Sequence, residues 1–386
     1  MLTIARWQDR IRKTYAPAVG RRRHDLITPA LILDLDAARR NIRLMAERFS
    51  HFKARLRPHI KAQKSPELAC LLVDAGAIGV CTATVWEAII MSQSGIEDVM
   101  IANQVGGREK ILALAKAARR AHITVAVDDP RNALELSRAA EAVGGKLDVV
   151  IEVDIGMGRG GVRSTEAAVT LAHHPSTLPG LRFRGVSGYE GHCMHEADRA
   201  ARIQKVQTAM DCLGAAIDRL AAAGFACEIV SAGGTGTHDI TGHDARVTEI
   251  QAGSYVFMDN FHAQLVPGFE RALTVLGTVI IEQGKTIVLD CGRKSIGIDF
   301  VQPTLIDYPF YQARAFAEEH ALFDVDDRCR LKLGDTAELT PGYAPSTVNL
   351  YDAYHVVEND VVVDIWPIIP RGPGHGGILA DFGDTA

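Results

Sequence analysis

The chain has 386 residues, of which 47% are apolar and 23% are charged, enough to bury a large core and to divide into a larger and a smaller domain. The net charge of -5 is spread along the chain, and the one basic run, residues 21–23, lacks interleaved aromatic residues. Nucleic acid is therefore not an expected partner. No apolar run reaches membrane-spanning length, the first residues lack a signal-peptide core, and the seven cysteines form no CxxC pair. We expect a cytoplasmic protein without a membrane partner.

Short apolar runs with strand character alternate with helical patterns after an N-terminal arm, residues 1–28. The runs are ALILDL, RLRPHI, IGVC, VMIA, ITVAV, DVVIEV, RFRGVSGYEG, EIVSAGG and EIQAGSYVF. A long helix is predicted between about Ala197 and Ala223. The alternation over residues 29–270 predicts an α/β fold, and about eight units favour a closed (β/α)8 TIM-type barrel over an open doubly wound sheet.

The texture of the sequence changes at residue 271. From there to residue 386, β-rich runs such as LTVLGTVIIEQGKTIVLD and VVVDIWPII are separated by Gly, Asp and Asn turns, with little helical pattern between them. This pattern predicts a C-terminal all-β domain. The N-terminal strand is a second candidate for its sheet.

Lys61, in RLRPHIKAQKS, lies at the end of a predicted strand, where catalytic groups of a barrel collect. Partial desolvation and nearby cations lower the pKa of a lysine in such a place and expose an amine for Schiff-base chemistry with an aldehyde cofactor. The alternative is a solvated surface lysine, like Lys53 or Lys64.

Glycines and hydroxyl residues cluster in EIVSAGGTGT and QAGSYVF, late in the predicted barrel. Backbone amides and hydroxyls of such segments can converge on a phosphate, although two tight turns at strand ends have the same composition. The residues are Gly233, Gly234, Thr235, Gly236, Thr237, Gly253, Ser254 and Tyr255. An early lysine together with a late phosphate cradle is more specific than either feature alone.

Taken together, TPALILDLDAARRNI, RPHIKAQKS, DIGMGRGGV, GYEGHCMHEADR, SAGGTGT, QAGSYVFMD, LDCGRKS and IWPIIPRG resemble one family. It is the D-threonine aldolase, D-3-hydroxyaspartate aldolase and D-serine dehydratase group of fold-type III pyridoxal-phosphate enzymes. The similarity covers nearly everything after the N-terminal arm. It implies pyridoxal 5'-phosphate (PLP) as the cofactor and Lys61 as the residue that carries it.

Other residues take their expected roles from the same resemblance. It puts Arg159 beside the ring hydroxyl of the cofactor or the substrate carboxylate, Tyr189 near the ring, and the two glycine-containing segments on the phosphate. Gln251 is neutral where alanine racemases carry an arginine on the pyridine nitrogen, so the cofactor's electronics are expected to differ. His59 precedes Lys61 in the family pattern as well. His195 matches a histidine that the aldolases place near the substrate's β-hydroxyl, where a base is needed.

The C-terminal metal motif of many relatives, PGHxDPT or PxHxCxT, reads PGYAPST in this chain. Tyr343 occupies the place of the histidine and Pro345 that of the second ligand, and proline has no side-chain donor. We therefore expect the usual metal site to be missing. The alternatives are a metal-free lyase that uses His195 and Tyr343 as acid–base groups, a metal moved to His192, His195 and Asp198, or a changed reaction.

The leading hypothesis is retro-aldol cleavage of a D-β-hydroxy-α-amino acid to glycine and an aldehyde. β-Elimination to a keto acid and ammonia is the first alternative. Racemisation is less favoured because no GYxDGYxR-like segment is present, and a noncatalytic PLP-binding protein would end after the barrel. The resemblance implies a homodimer with sites shared between subunits. Arg55 and Arg57 are candidates to receive a second substrate carboxylate.

Overall fold

The computed structural model describes residues 4–373. These residues form two compact units: a barrel unit, residues 45–61 and 66–253, and a β unit, residues 4–44, 62–65 and 254–373. The domain limits expected at residues 28 and 270 stay predictions.

Helices and strands alternate regularly in the first two thirds of the chain. The α-helices are α1 (Ile4–Tyr15), α2 (Leu35–Phe49), α3 (Pro66–Asp74), α4 (Val85–Gln93), α5 (Arg108–Ala117), α6 (Pro130–Ala142), α7 (Thr165–Thr177), α8 (Arg199–Ala222), α9 (His238–Thr241), α10 (Asn260–Ala263) and α11 (Ala344–Val348). The strands are β1 (Ala30–Asp34), β2 (Arg55–Leu56), β3 (Val80–Thr82), β4 (Asp98–Ile101), β5 (His122–Val127), β6 (Leu147–Glu152), β7 (Leu181–Ser187), β8 (Ile229–Ala232), β9 (Glu249–Ile250), β10 (Leu273–Gln283), β11 (Thr286–Leu289), β12 (Thr304–Leu305), β13 (Ala313–Phe316), β14 (Ala321–Asp324), β15 (Thr336–Thr340), β16 (Ala353–Glu358) and β17 (Val361–Pro367).

Eight parallel strands form the sheet of the barrel unit, in the order β2, β9, β8, β7, β6, β5, β4, β3. The chain after β2 then bridges back to β3 at His59 and Cys81. The amide of Cys81 donates to the carbonyl of Pro58 over 2.8 Å. These contacts close the ring, so the predicted (β/α)8 barrel is confirmed.

The barrel is filled by small and medium apolar side chains. Strand β6, LDVVIE, is buried at every position, as expected for a parallel strand that is covered on both faces. Five strands each contribute one residue to an apolar cluster, which consists of Cys81, Met100, Ala126, Val150 and Ile229. The interior is therefore a packed core, and chemistry is confined to the ends of the strands.

Four helices that follow barrel strands begin at side chains that accept hydrogen bonds from the first-turn amides. The capping residues of α4, α6, α7 and α8 are Thr84, Asp129, Ser164 and Asp198. The long helix predicted between Ala197 and Ala223 is confirmed as α8. These caps fix where each loop at the carboxyl end of the barrel stops.

The β unit contains a nine-stranded mixed sheet with the main order β13, β14, β11, β10, β1, β16, β17, and β15 pairs with β10 and β12. Strand β1 is antiparallel to β10 and parallel to β16. The ALILDL run therefore does not form a barrel strand, although its pattern placed it first among them. A fully apolar strand looks the same in either sheet, and only pairing with strands more than 200 residues away along the chain decides between them.

Two arginines of the basic run near the N-terminus form ion pairs inside the β unit. Arg23 contacts Asp34 and Glu338, each at 3.3 Å, and Asp360 at 2.8 Å. Arg22 lies 2.9 Å from the same Asp360 carboxylate. These arginines thus hold the N-terminal segment against the mixed sheet.

Candidate active site

The candidate residues of the barrel unit lie where strands end. They are Lys61 after β2, Arg159 after β6, Tyr189 after β7, Gly233 to Thr237 after β8, and Gln251 and Gly253 after β9. Because the eight strands are parallel, all these segments lie at the same end of the barrel.

The amine of Lys61 faces an aromatic ring and shares it with a second cation. Its nitrogen lies 5.6 Å from the centroid of the Tyr189 ring, and the guanidinium carbon of Arg159 lies 6.0 Å from the same centroid. Burial lowers the pKa of Lys61; Cys81 opposes this shift and the charge of Arg159 adds to it. A lysine with a lowered pKa holds more free amine at neutral pH and attacks an aldehyde more readily.

The backbone around Lys61 is shaped by His59 and Gly253. His59 is buried, and its Nδ1 lies 3.4 Å from the amide of Lys61. A Cβ atom at Gly253 would overlap the carbonyl of His59. Only glycine therefore allows the chain after β9 to pass this close to the segment that carries Lys61.

The loop that carries Arg159 is held by hydrogen bonds to a carboxylate within the same loop. Oδ1 of Asp154 accepts hydrogen bonds from the amides of Gly156, at 3.2 Å, and Gly158, at 2.9 Å. The guanidinium of Arg159 donates to Glu152 over 3.4 Å, while 49% of its side chain remains exposed. One edge of the guanidinium is thus anchored and the rest is accessible to a carboxylate or phenolate.

The glycine-rich loop, residues 233–237, is buried and lies against Tyr189. Gly233 has a φ of +77°, and a Cβ atom there would come within 2.8 Å of the Ile250 side chain. A Cβ atom at Gly234 would lie 3.3 Å from the Tyr189 ring. The positive φ favours glycine at position 233, and the tight packing at Gly234 places the predicted phosphate loop beside the ring that Lys61 faces.

Glu190 is a buried residue that the sequence analysis missed, and it organises the glycine-rich loop. Its carboxylate accepts hydrogen bonds from the Gly233 amide at 3.1 Å, the Thr237 hydroxyl at 2.7 Å and the Thr241 hydroxyl at 2.5 Å. The Thr237 hydroxyl in turn accepts from the Gly234 amide at 3.1 Å. The Thr237 amide donates to the Gly234 carbonyl over 3.2 Å. Three of the loop's amides therefore donate within the protein, whereas the sequence pattern predicted that they bind a ligand.

Gln251 is buried at the end of β9. Its amide nitrogen donates to the Ser231 hydroxyl over 2.9 Å, and its oxygen accepts from the thiol of Cys81 at 3.4 Å. Burial raises the pKa of Cys81 to about 12, so this thiol stays protonated and serves as a donor. The side-chain amide of Gln251 is thus held by two neutral groups, a hydroxyl and a protonated thiol.

The histidines that follow β7 are separated in role. His195 is exposed at the end of a short 3-10 helix, whereas the ring of His192 packs against Gly156. Asp198 caps α8 by accepting from an amide of its first turn. Within residues 4–373, no three His, Cys, Asp or Glu side chains are grouped as metal ligands, so the structure does not assemble His192, His195 and Asp198 into a metal site.

Two predicted phosphate ligands, Ser254 and Tyr255, belong to the β unit. Both lie in a short 3-10 helix directly after Gly253. The ring of Tyr255 is fully buried, 5.6 Å from the ring of Phe269, and burial raises the pKa of its phenol. The phenol is therefore neutral at physiological pH.

Tyr343 and Pro345, which replace the metal ligands of the relatives, also belong to the β unit. Burial raises the pKa of Tyr343 to about 12, and the carboxylates of Asp259 and Asp299 act in the same direction. Its ring stacks on the buried ring of His262, with centroids 5.9 Å apart. Pro345 lies in the first turn of α11. The position thus presents a protonated phenol and no second donor.

Arg57 is not available for a substrate. It is buried and bound to Glu249 at 3.0 Å and to Asp98 at 2.7 Å. Burial lowers and the two carboxylates raise the pKa of its guanidinium, with a net increase. The suggestion that Arg57 receives a second substrate carboxylate is therefore wrong, because its charge is already matched inside the barrel.

Comparison with known proteins identifies two family models along the chain. Residues 33–261 match the alanine racemase N-terminal domain, and residues 272–357 match the putative serine dehydratase domain. The chain is 36% identical over 351 residues to a D-threonine aldolase of an Arthrobacter species, covering 89% of this chain and 93% of the relative. It is 34% identical to a 3-hydroxy-D-aspartate aldolase of Paracoccus denitrificans, covering 91% and 94%.

A solved structure agrees with these relatives. The crystal structure of D-threonine aldolase from Filomicrobium marinum superposes with a TM-score of 0.88 at 36% identity, covering 91% of this chain and 97% of the other. The closed parallel barrel and the separate mixed-sheet unit are those of an alanine racemase-like protein. The chain belongs to the D-threonine aldolase-like family within this class. Among residues 4–373, no helix is both long and apolar enough to span a membrane.

Proposed function

We propose that the protein is a PLP-dependent carbon–carbon lyase that cleaves a D-β-hydroxy-α-amino acid, of the D-threonine or D-3-hydroxyaspartate type, to glycine and an aldehyde. The observation that carries the proposal is the amine of Lys61, whose pKa is lowered and which faces Tyr189 beside Arg159. The names of the two aldolase relatives support the substrate class.

The residues at the strand ends fit PLP. Lys61 supplies the amine for the aldehyde carbon, and the ring of Tyr189 lies close to both this amine and the glycine-rich loop. When bound, PLP supplies a conjugated ring that accepts the electron pair released as the Cα–Cβ bond breaks. Gln251 and His59 are assigned to positioning at the ring.

The phosphate is assigned to two segments, whose residues are Gly233, Gly234, Thr235, Gly236, Thr237, Gly253, Ser254 and Tyr255. The amides of Gly233 and Gly234 already donate to Glu190 and Thr237. We therefore assign the direct hydrogen bonds to the Gly236 amide and to hydroxyl groups, and a shape-defining role to the other glycines.

Three side chains act on the substrate in this proposal. Arg159 receives the carboxylate, or the cofactor's ring oxygen, on the accessible part of its guanidinium. His195 is exposed and takes the proton of the β-hydroxyl, a task suited to an imidazole near neutral pH. Tyr343 stays protonated and donates to the β-oxygen.

The usual metal site of the relatives does not fit this chain. Pro345 has no side-chain atom that could bind a metal. Tyr343 has a phenol whose pKa is raised to about 12, so it stays protonated. A divalent ion is bound instead by deprotonated groups or by a neutral imidazole. We propose that side chains rather than a metal handle the β-oxygen.

A product assay tests this function. Purified protein is incubated with D-threonine, D-3-hydroxyaspartate and D-serine, with and without a chelator, and glycine plus aldehyde is measured against ammonia plus keto acid. Glycine release that is unaffected by the chelator supports a metal-free aldolase. Loss of activity with the chelator, restored by added metal, would contradict the assignment of Tyr343.

β-Elimination is the second candidate, favoured by the match of residues 272–357 to a serine dehydratase domain. Lys61 would then remove the α-proton, and the protonated phenol of Tyr343 would assist the departure of hydroxide. Ammonia and keto acid without glycine, in the same assay, would replace the aldolase proposal with this one.

We also propose a homodimer in the cytoplasm. The homodimer follows from the family, and the location is supported by the seven cysteines, all of which are unpaired. Sedimentation equilibrium tests the first point, with a mass of two chains expected and the mass of a single chain against it.

A further inference from the structure

The backbone on both sides of Tyr343 is bound to the segment that contains Asp259 and His262. Two segments of the β unit, 259–262 and 341–344, run together through three hydrogen bonds. They join the amide of Asn260 to the carbonyl of Pro341 at 3.1 Å, the amide of Phe261 to the carbonyl of Gly342 at 3.2 Å, and the amide of Ala344 to the carboxylate of Asp259 at 2.7 Å. Tyr343 therefore sits between two anchored residues.

Asp259 uses its other oxygen to orient an imidazole. Oδ1 accepts from the amide and from Nδ1 of His262, both at 2.8 Å. The two residues are buried, 1% and 3% exposed, so water does not compete for these bonds. The ring of His262 lies nearly parallel to that of Tyr343, at an interplanar angle of 19°. A single carboxylate thus restrains both the backbone and the ring of Tyr343.

The other sides of Tyr343 are closed as well. The Thr347 hydroxyl lies 2.9 Å from its carbonyl and from the amide of Gly297. Phe300 has a φ of +60°, a strained conformation for a bulky residue. Its ring lies 5.0 Å from that of Tyr343 at 87°. A strained backbone that delivers an aromatic contact indicates that the placement of this tyrosine is over-determined.

We propose that Asp259 and His262 are positioning residues that hold the phenol of Tyr343 in the orientation needed to donate to the substrate's β-oxygen. The inference rests on the proposed function, in which the protonated phenol of Tyr343, from the β unit, donates to that oxygen. The contacts with Asp259 use the backbone and the stacked ring, and none of them uses the phenol oxygen.

Another tyrosine of the β unit shows the contrast. The hydroxyl of Tyr311 donates directly to the carboxylate of Asp326 at 2.6 Å, so the hydrogen of this phenol is already bonded. Asp326→Asn therefore removes a carboxylate charge beside a tyrosine of the same unit and leaves the contacts of Tyr343 with Asp259 and His262 unchanged. It serves as the matched control.

Steady-state kinetics of the holoenzyme provide the first test. Tyr343→Phe is expected to lower kcat on the order of a hundredfold, and Asp259→Asn about tenfold, with KM changed much less. In a Tyr343→Phe background, Asp259→Asn should cost little more, since it acts through the phenol. Asp326→Asn should leave kcat unchanged. Additive losses from the two substitutions would overturn the proposal.

The ionisation of Tyr343 provides a second readout, which works without any turnover. Asp259, Asp299 and His262 are the titratable groups that face this phenol. Removing the charge of Asp259 should bring the pKa of Tyr343 down from about 12 towards its ordinary value, seen as tyrosinate absorbance in a difference titration against Tyr343→Phe. An unchanged titration in Asp259→Asn would overturn the role of Asp259 at Tyr343, even in a chain that shows no lyase activity.

His262→Phe covers the case in which Asp259→Asn does not fold. It keeps a ring for stacking and removes the bond to Asp259, and bound-cofactor absorbance reports whether the fold is intact. We expect His262→Phe to lower kcat in the wild-type background and to cause no further loss in the Tyr343→Phe background. A wild-type kcat in His262→Phe would overturn the role of His262.

Discussion

Replacing Glu190 by alanine should loosen the glycine-rich loop and weaken cofactor binding. The buried carboxylate is the common acceptor of the Gly233 amide and of the hydroxyls of Thr237 and Thr241. Without it, the Gly233 amide is left as an unpaired buried donor, while the two hydroxyls can rotate towards other acceptors.

The expected loss follows from these contacts. An unsatisfied buried amide costs about 1–3 kcal/mol, each hydroxyl loses a bond to a charged acceptor worth about 1.5 kcal/mol, and relief from burying a carboxylate offsets part of the sum. We expect Glu190→Ala to lower the free energy of unfolding by about 2–4 kcal/mol. Glu190→Gln should cost less, about 1–2 kcal/mol, because its oxygen can still face the Gly233 amide while its NH2 group faces the rotating hydroxyls.

Urea unfolding of the cofactor-free protein measures the free energy of unfolding, and titration with PLP measures the affinity for the cofactor. Glu166→Ala is the control, since this glutamate is 71% exposed on α7 and its removal should change stability by no more than about 0.5 kcal/mol. If Glu190→Ala matches Glu166→Ala in both stability and PLP affinity, the assignment of Glu190 as the organiser of the loop is refuted.

Three further predictions concern the barrel unit. Gly253→Ala should displace the carbonyl of the facing residue His59 and weaken PLP binding at least tenfold in a titration, whereas Gly106→Ala, with open space around its Cα, should not. Because the pKa of Lys61 is lowered by burial, its amine is free at a lower pH than that of an ordinary lysine. The rate at which cofactor-free protein takes up PLP should therefore rise with pH and level off below the ordinary lysine pKa, and a rate that still climbs near pH 10 would contradict this. Burial raises the pKa of Asp148 but two arginines outweigh it, so the folded pKa lies below the unfolded one. The stability due to Asp148 is present above about pH 4 and is lost as the pH falls through the folded pKa; Asp148→Asn should remove this part of the acid dependence in urea melts, and an identical acid limb would count against it.

The sequence was informative where the fold depends on local patterns. Parallel strands that are buried on both faces and separated by helices produce the apolar runs from which the barrel is predicted, and a strand end locates Lys61 without any tertiary information. Arg159 takes its predicted place from the family resemblance instead. Strand β1 escaped this logic because its pairing with β10 and β16 is set by residues far away in the chain.

The parts of the site that escaped prediction are buried polar contacts between distant segments. Glu190 meets Thr237 and Thr241 across more than 45 residues, and Asp259 meets Ala344 across 85. The separation along the chain between such a carboxylate and its hydroxyl partners is not fixed, so no periodic pattern in the sequence reveals the contact. The glutamate in GYEGH, three residues after the end of a strand, is the one signal in the sequence that favours a buried acceptor.

Borohydride reduction of the PLP-loaded protein, followed by peptide mass spectrometry, shows which lysine carries the cofactor. We expect a phosphopyridoxyl group on the peptide that contains Lys61. Lys61→Ala should lose both this modification and the absorbance of the bound cofactor, while Lys53→Ala, which removes an exposed lysine of the same unit, should retain them. A modified lysine elsewhere, or cofactor absorbance that persists in Lys61→Ala, would contradict the account.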